Sequence, residues 1–263
     1  TARDCIVATS RTGKQAVENQ FASLRRDYGL SAEEYPAPTL AQIPLGVDPG
    51  EFQEPSREAR QEARAALDLP QGRVLSLVFG RLSHYSKMDL LPLLRAFQSL
   101  FAQGADRASA GLVLAGWVEE GDDFPETIRG LAKNIGLELH LFARPDAERT
   151  ARLYEACDLF VSIADNPQET FGLTLLEAAA AGLPVVASDY DGYKDLVVHG
   201  ETGLLIPCTG LAETPAADLL APVLPDNQYH LYLAQALAVD VNGLAQALES
   251  LTANPRLRLD MGR

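Results

Sequence analysis

The stretch "CDLFVSIADNPQETFGLTLLEAAAAGLPVVASDYDG", residues 157–192, decides the fold. "DLFVSIA" and "LPVVASD" are β-rich apolar runs, each short enough for a buried strand. Between them "TFGLTLLEAAAAG" consists of good helix formers, with Thr170 as the expected N-cap, Gly182 just past the helix and Pro184 beyond it. This reads as a strand, helix, strand unit. In such a unit ligands bind beyond the carboxyl ends of the strands, where the loop after the first strand meets the free N–H groups of the helix N-terminus. Glu169 falls on that loop. Glu177 falls about two turns into the helix, roughly 10 Å from its tip at 1.5 Å rise per residue. A single small anion cannot touch both carboxylates and the amide tip between them. An elongated ligand with hydroxyls at both ends and phosphate in the middle can, and a nucleotide sugar has that shape. Taken singly, each glutamate is better explained as a solvated helix residue or a cap. Spacing and context together favour the ligand.

The chain as a whole sets bounds on this reading. Its 263 residues suit one or two domains, and 47% apolar with 22% charged residues is ordinary globular composition. A net charge of −14 argues against general affinity for nucleic acid or anionic lipid, both of which are held by clustered Lys and Arg. Cys5, Cys157 and Cys208 are far apart and lack metal-ligand spacing, so the expectation is three buried thiols in a reducing compartment. The four histidines form no HExxH or similar pair, and no metal site is expected. No signal peptide or membrane-spanning apolar run is present. The start at Thr1 and the end in "RLRLDMGR" read as a fragment. The expected compartment is the cytoplasm, any peripheral contact with the inner membrane face being left to the part outside this segment.

Strand-like runs recur at "CIVATS", "RVLSLVF", "GLVLAGW", "LELHLF", "DLFVSI", "LPVVAS" and "GLLI", mostly with helical stretches between them. Alternation of this kind predicts an α/β fold with a parallel sheet covered on both faces. "CIVATS", a helix over 14–28 and "AQIPLGVD" read as a separate βαβ piece, residues 1–50. "PGEFQEPSREARQE" reads as a linker, 51–71, into a main domain, 72–263. Residues 211–240 carry three prolines and read as a partly helical surface excursion before the helix "VNGLAQALESLTA".

The second informative place is "VFGRLSHYSKMDLLPLLRAF", residues 78–97. A strand ends at Gly80, and Arg81 and Lys87 follow on a loop entering a helix expected from Lys87 or Met88. Arg as a fork and Lys as a point charge suit a diphosphate there, though both also fit as ordinary surface cations. In "SDYDGYKDLVVHGETGLLI" Gly192, Gly200 and Gly203 mark turns, and Asp195 either caps a helix or holds a ligand hydroxyl. "TGKQ" lacks the upstream glycine of a phosphate loop, and GxGxxG is absent.

The stretches "IPLGVDPGEF", "FGRLSHYSK", "LVLAGW", "LYEACDLFVSIADNPQETFGLTLLEAAAAGLPVVASDYDGYKDLV" and "GETGLLIP" resemble, in family order, the retaining glycosyltransferases of GT-B architecture, family 4, also called glycosyl transferases group 1. The resemblance covers roughly residues 40 to 207, and its most specific element is Glu-x7-Glu followed by AxxAGLPVV. It implies two Rossmann-like domains facing across a cleft, the C-terminal one a doubly wound parallel sheet holding the nucleotide-sugar donor. Residues 1–50 would be the last βαβ unit of an N-terminal, acceptor-binding domain that is otherwise missing.

Carried over residue by residue, the resemblance implies that Arg81 and Lys87, after Gly80, bind the donor diphosphate and offset charge on the departing nucleoside diphosphate. Glu169 would face the transferred hexose, Thr170 and the amides of Phe171, Gly172 and Leu173 would hold sugar and phosphate, and Glu177 would accept ribose hydroxyls. The backbone near Ala143 and Arg144 would meet the base. No cofactor and no metal are expected, and the acceptor, whether glycan, lipid or small molecule, is left open. Three positions depart from the pattern: "KM" where Lys-Gly is usual, Ala143 where a Gly is common, and Asp191-Gly192 where Gly-Gly is usual. The competing readings are a nucleotide-sugar-binding module without turnover, since the isolated fragment is expected to be inactive, and a GT-B-fold epimerase. A phosphorylase would need a pyridoxal-phosphate lysine site that is not found.

Overall fold

A computed structural model describes residues 4–211 and 214–263. The first strand, β1 (Cys5–Ala8), leads through helix α1 (Arg11–Tyr28) to β2 (Thr39–Gln42), which pairs with β1 in parallel. The helix begins at Arg11 rather than 14 because Ser10, itself buried, caps it and accepts a hydrogen bond from Gly13 N at 3.0 Å. The partner strand ends at Gln42, so it takes only the first residues of "AQIPLGVD".

Inside the stretch read as a linker lies a helix, α2 (Arg57–Ala66). Ser56 caps it, and Ala63 and Arg64 are buried against the main body. The expectation of a linker weighed the proline and glutamates at 49–55 and overlooked the alanine-rich, capped run that follows.

The main sheet alternates strictly: β3 (Val74–Arg81), α3 (Leu91–Ala102), β4 (Ala110–Trp117), α4 (Phe124–Ile135), β5 (Glu138–Ala143), α5 (Ala147–Ala156), β6 (Leu159–Ser162), α6 (Leu173–Ala180), β7 (Val185–Ser188), a 3₁₀ turn (Asp191–Asp195) and β8 (Gly203–Ile206). All pairings are parallel and the order is β5-β4-β3-β6-β7-β8. Both faces of the central strand β4 are apolar and buried. In β4, Leu112 and Leu114 pack with Leu93 and Phe97 of α3 and Ile128 of α4, while Val113 and Ala115 pack in a second layer with Leu153 of α5 and Leu175 of α6. That is the doubly wound arrangement expected from near-continuous hydrophobic strands.

Beyond β8 the chain forms β9 (Cys208–Gly210), α7 (Pro215–Leu220), α8 (Asp226–Gln235) and β10 (Leu237–Val239), the last antiparallel to β9. The excursion expected at 211–240 is therefore a helical pair closed by a short ribbon; its residues 212 and 213 lie outside the described ones. Two helices, α9 (Val241–Ala253) and α10 (Pro255–Met261), end the chain. All three cysteines are free, but only Cys157 is buried, Cys5 being exposed and Cys208 half-buried. Among the described residues no helix is long and apolar enough to cross a membrane.

Candidate functional site

Strand order places the switch point between β3 and β6, because the chain runs outward one way from β3 to β5 and the other way from β6 to β8. Crevices for ligands open at such points, outside the carboxyl ends of the strands. The loop after β3 carries Arg81 and Lys87, and the loop after β6 carries Glu169. The two loops meet: Lys87 Nζ forms an ion pair with Glu169 Oε2, with Lys87 nearly buried and Glu169 largely so.

Lys87 does not enter a helix. Its N–H donates to Ser83 O at 3.1 Å in a turn, and α3 starts only at Leu91, with Asp89 accepting from Leu91 N and Pro92 in the first turn, where a missing N–H is harmless. The turn folds the lysine back under β3, so that its Cε comes within 3.4 Å of where a Cβ on Gly80 would stand. Burial lowers the Lys87 pKa, Glu169 opposes that effect, and Arg81 adds to it. Arg81 is exposed and donates to Ser86 O at 3.0 Å, holding the loop closed.

Thr170 is not the cap of α6. The helix starts at Leu173, and its N-cap is Gly172 in the left-handed region at φ 103°. Two close approaches explain this. A Cβ on Gly192 would stand 2.0 Å from Thr170 O, and one on Gly172 would stand 2.6 Å from the ring of Tyr193. The turn after β7 is thus pressed onto the loop before α6, fixing the tip of α6 toward the crevice. Phe171 is buried beneath it, and Leu173 is exposed. The first N–H groups of such a helix have no intrahelical partner and favour an anion.

Glu177, one turn further along α6, is half-buried and accepts a hydrogen bond from Tyr154 Oη at 2.6 Å. Its charge also supports the protonated form of Lys87. Ala143 ends β5 opposite Gly116, and Arg144 follows at φ 50° with its guanidinium on Val118 O and 5.6 Å from the Trp117 ring. Two strand spacings, roughly 10 Å, separate this corner from β3. Lys87 and Glu169 thus meet at the switch point, Arg81 and Glu177 lie close enough to act on the Lys87 charge, and Ala143 with Arg144 sits at the carboxyl end of β5, two strands away.

Several residues here have no role assigned from the sequence, Asp191 being marked there only as a departure from the family pattern. Tyr193 is wholly buried, exchanges a hydrogen bond with Ser162 Oγ at 2.7 Å and lies 3.4 Å from Lys87 Nζ. Asn166 bridges the two loops, donating to Tyr85 O and accepting from Gln168 N. Asp165, buried behind them, receives Asp89 N at 3.2 Å, and burial pushes its pKa up to about 7. Asp191 sits at φ 44°, where aspartate is tolerated better than most residues, and burial together with Glu169 pushes its pKa up to about 6. The position of Asp191 just before Gly192 was the available signal. Tyr154 and Tyr193 gave none, since neither belongs to a recognisable motif and their hydroxyl partners lie far away in sequence.

The family model for glycosyl transferases group 1 matches residues 59–237. The chain belongs to that family. Among curated members, it is 31% identical over 199 residues to D-inositol 3-phosphate glycosyltransferase of Corynebacterium glutamicum, covering 74% of this chain and 46% of that protein. It is 35% identical over 149 residues to the enzyme of the same name from Rhodococcus erythropolis, covering 56% of this chain and 33% of that protein. The group 1 chain thus spans less than half the length of these relatives. Among solved structures, sucrose-phosphate synthase of Thermosynechococcus elongatus superposes with a TM-score of 0.64 at 25% identity, over 99% of this chain and 52% of that one. WaaG, a glycosyltransferase involved in lipopolysaccharide biosynthesis, superposes at 0.64 and 20% identity, over 97% and 55%. The group 1 chain therefore has an α/β fold with a parallel central sheet similar to that of GT-B glycosyltransferases.

Proposed function

We propose that the crevice between β3 and β6 takes a nucleoside-diphosphate sugar, and that the protein to which this chain belongs transfers the hexose to an acceptor with retention at the anomeric carbon. The observation that carries this reading is the convergence of Lys87, Glu169 and the α6 tip at the switch point. Its ligand class finds a parallel in Anabaena HepE, solved in complex with UDP-glucose, which shares the fold at 22% identity and a TM-score of 0.57 over 96% of this chain and 62% of that one.

Lys87 and Glu169 neutralise each other in the structure, so the donor inserts by exchanging partners. Phosphate oxygens replace Glu169 on the lysine, and sugar hydroxyls replace the lysine on Glu169. Arg81 reaches the diphosphate from the exposed side as a planar fork, and the N–H groups of Phe171, Gly172 and Leu173 meet it along the helix axis. Glu177, anchored by Tyr154, accepts ribose hydroxyls, and the base lies toward Ala143 and Arg144. As the bond to the nucleoside diphosphate breaks, negative charge grows on the phosphate between Lys87, Arg81 and the α6 tip. Positive charge grows at the anomeric carbon in front of Glu169. Groups oriented before the reaction stabilise both without reorganising.

These cations and the helix tip supply the neutralisation that a metal ion otherwise gives, so donor binding requires no magnesium. Calorimetric titration of UDP, GDP and ADP, each with and without EDTA, checks this. One nucleotide is expected to bind with equal affinity in both conditions, and affinity lost on chelation would refute the metal-free site. Because this chain spans under half the length of its relatives, we assign it donor binding and expect no transfer by it alone.

A further inference from the structure

A cluster of arginines lines a cavity of about 360 Å³ at the opposite end of the sheet from Lys87 and Glu169. Asp158, just before β6, and Gly182, just before β7, lie on its inner side, with Glu54, Arg57, Arg60 and Arg258 around it. Arg57, Arg60 and Arg64 fall at intervals of three and four along α2, hence on one face of the helix. Arg258 approaches from α10.

The carboxylates there are already engaged. Asp158 Oδ2 accepts from Arg64 Nη2 at 2.6 Å and from Leu75 N at 2.7 Å, and Arg64 directs its remaining donors to backbone carbonyls. Arg60 donates from Nε to Glu155 O at 3.3 Å and reaches the other oxygen of Asp158 from Nη1 only at 3.5 Å, and Arg258 Nη1 donates to the carbonyls of Leu251 and Thr252. Glu54 meets Arg263 at 3.6 Å near the surface. Arg258 is half-buried, and its pKa is lowered by desolvation, an effect that Arg60 and Arg64 deepen and Asp158 opposes. In a chain of net charge −14, five guanidiniums, those of Arg57, Arg60, Arg64, Arg258 and Arg263, around the two carboxylates of Asp158 and Glu54 make a local, partly desolvated positive surplus. Half-buried cations are stable when an anion shares the site, and guanidinium forks match oxyanions.

We propose that this cavity binds a phosphate dianion, free or carried by a small molecule, between Arg57, Arg60 and Arg258. The cavity exceeds the volume of a phosphate group, which leaves room for a carrier. From Leu75, which Asp158 touches, to Arg81 is six rises of about 3.3 Å, roughly 20 Å, so a phosphate here and a diphosphate at Arg81 and Lys87 do not overlap.

Titration of the isotopically labelled chain with inorganic phosphate and with glucose 6-phosphate, following the Nε–Hε signals of Arg60 and Arg258, tests the assignment. These side chains report the cavity directly, so phosphate meeting Arg81 or Lys87 reads separately. Saturable shifts are expected with phosphate and none with chloride at matched ionic strength. Equal affinities for the two ligands would assign the site to free phosphate, and a tighter sugar phosphate to a carried one. Arg258→Gln is expected to weaken binding about tenfold or more, the loss of one charge-assisted hydrogen bond. Since Arg258 also holds two carbonyls, the exposed Arg57→Gln provides a variant with intact packing, expected to weaken binding several-fold. Shifts that track ionic strength alike with phosphate and chloride, or an affinity unchanged in both variants, would overturn the proposal.

Discussion

Lys87 is held charged against its own burial by Glu169, and this coupling changes what a glutamate substitution does. Glu169→Gln removes the partner that competes with phosphate for the lysine. Bare nucleoside diphosphate is therefore expected to bind as well as to the parent chain or a few-fold better at neutral pH, with a steeper loss toward alkaline pH, because without Glu169 the buried lysine gives up its proton sooner. Titrations at several pH values measure this directly. A second residue gives a pH signature of a different kind. Asp165 has a folded pKa of about 7 against an ordinary value of 3.8, so the fold holds a proton that the unfolded chain releases between those values. Stability falls as pH rises from about 4 to about 7 and is level above. With each factor of ten in acidity worth about 1.4 kcal/mol, the penalty reaches up to about 4 kcal/mol at pH 8. Asp165→Asn keeps the acceptor for Asp89 N. It is expected to raise stability to urea at pH 8 by up to that amount and by no more than about 1 kcal/mol near pH 4.5. An equal gain at both pH values would show that the carboxyl is not held protonated by the fold.

At the scale of elements, the start of α6 decides where the crevice lies. Gly172 combines a left-handed backbone with contact against the Tyr193 ring, so Gly172→Ala both strains the cap and displaces the tyrosine that underlies Lys87. A loss of stability of about 1–3 kcal/mol is expected in urea unfolding, with nucleotide affinity reduced about tenfold or more by titration. Unchanged affinity in a folded Gly172→Ala protein would show that the tip does not meet the ligand. The β-rich runs, the helix of residues 173–180 and the switch-point glutamate were legible because each is a local pattern: alternation of strand and helix, Gly182 after the helix, carboxylates at fixed spacing. The cap and the loop after β3 were not, because both are set from outside. Thr170 has the right chemistry for a cap, but Gly192, twenty-two residues on, takes up the space around its carbonyl. Lys87 looks like the start of a helix until the turn from Ser83 folds it under the strand. The two tyrosines were invisible for the same reason, since their hydroxyls find Ser162 and Glu177 only across the fold.

At the scale of the whole molecule, the βαβ unit of β1, α1 and β2 rests on the turn that presses on the α6 loop. Arg11 donates to both oxygens of Asp195 at 2.6 Å, from its backbone N and from Nε, and Thr12 Oγ1 donates to Asp191 O at 3.1 Å. Asp195 thus satisfies the free N–H at the start of α1 as well as the Arg11 side chain, a helix-terminal contact made across the fold. Arg11 is 72% exposed, and such a pair is worth at most about 1 kcal/mol. Asp195→Ala is accordingly expected to speed hydrogen exchange in α1 while leaving the six-stranded sheet as protected as before. Slower or unchanged exchange in α1 would mean that other contacts hold the unit. An elongated ligand lying from Glu177 across the α6 tip to Glu169 is revealed by titrating variants at both of its ends. Calorimetric titration of Glu169→Gln and Glu177→Gln with a nucleoside diphosphate and with its sugar-linked form gives four affinities. Loss of a hydrogen bond to a charged group amounts to about 1.5 to 3 kcal/mol, roughly ten- to a hundredfold. Glu177→Gln is expected to weaken both ligands by similar factors of that size, whereas Glu169→Gln is expected to weaken the nucleotide sugar alone. A Glu169→Gln chain that loses the bare nucleotide as strongly as Glu177→Gln does would contradict that placement of the ligand.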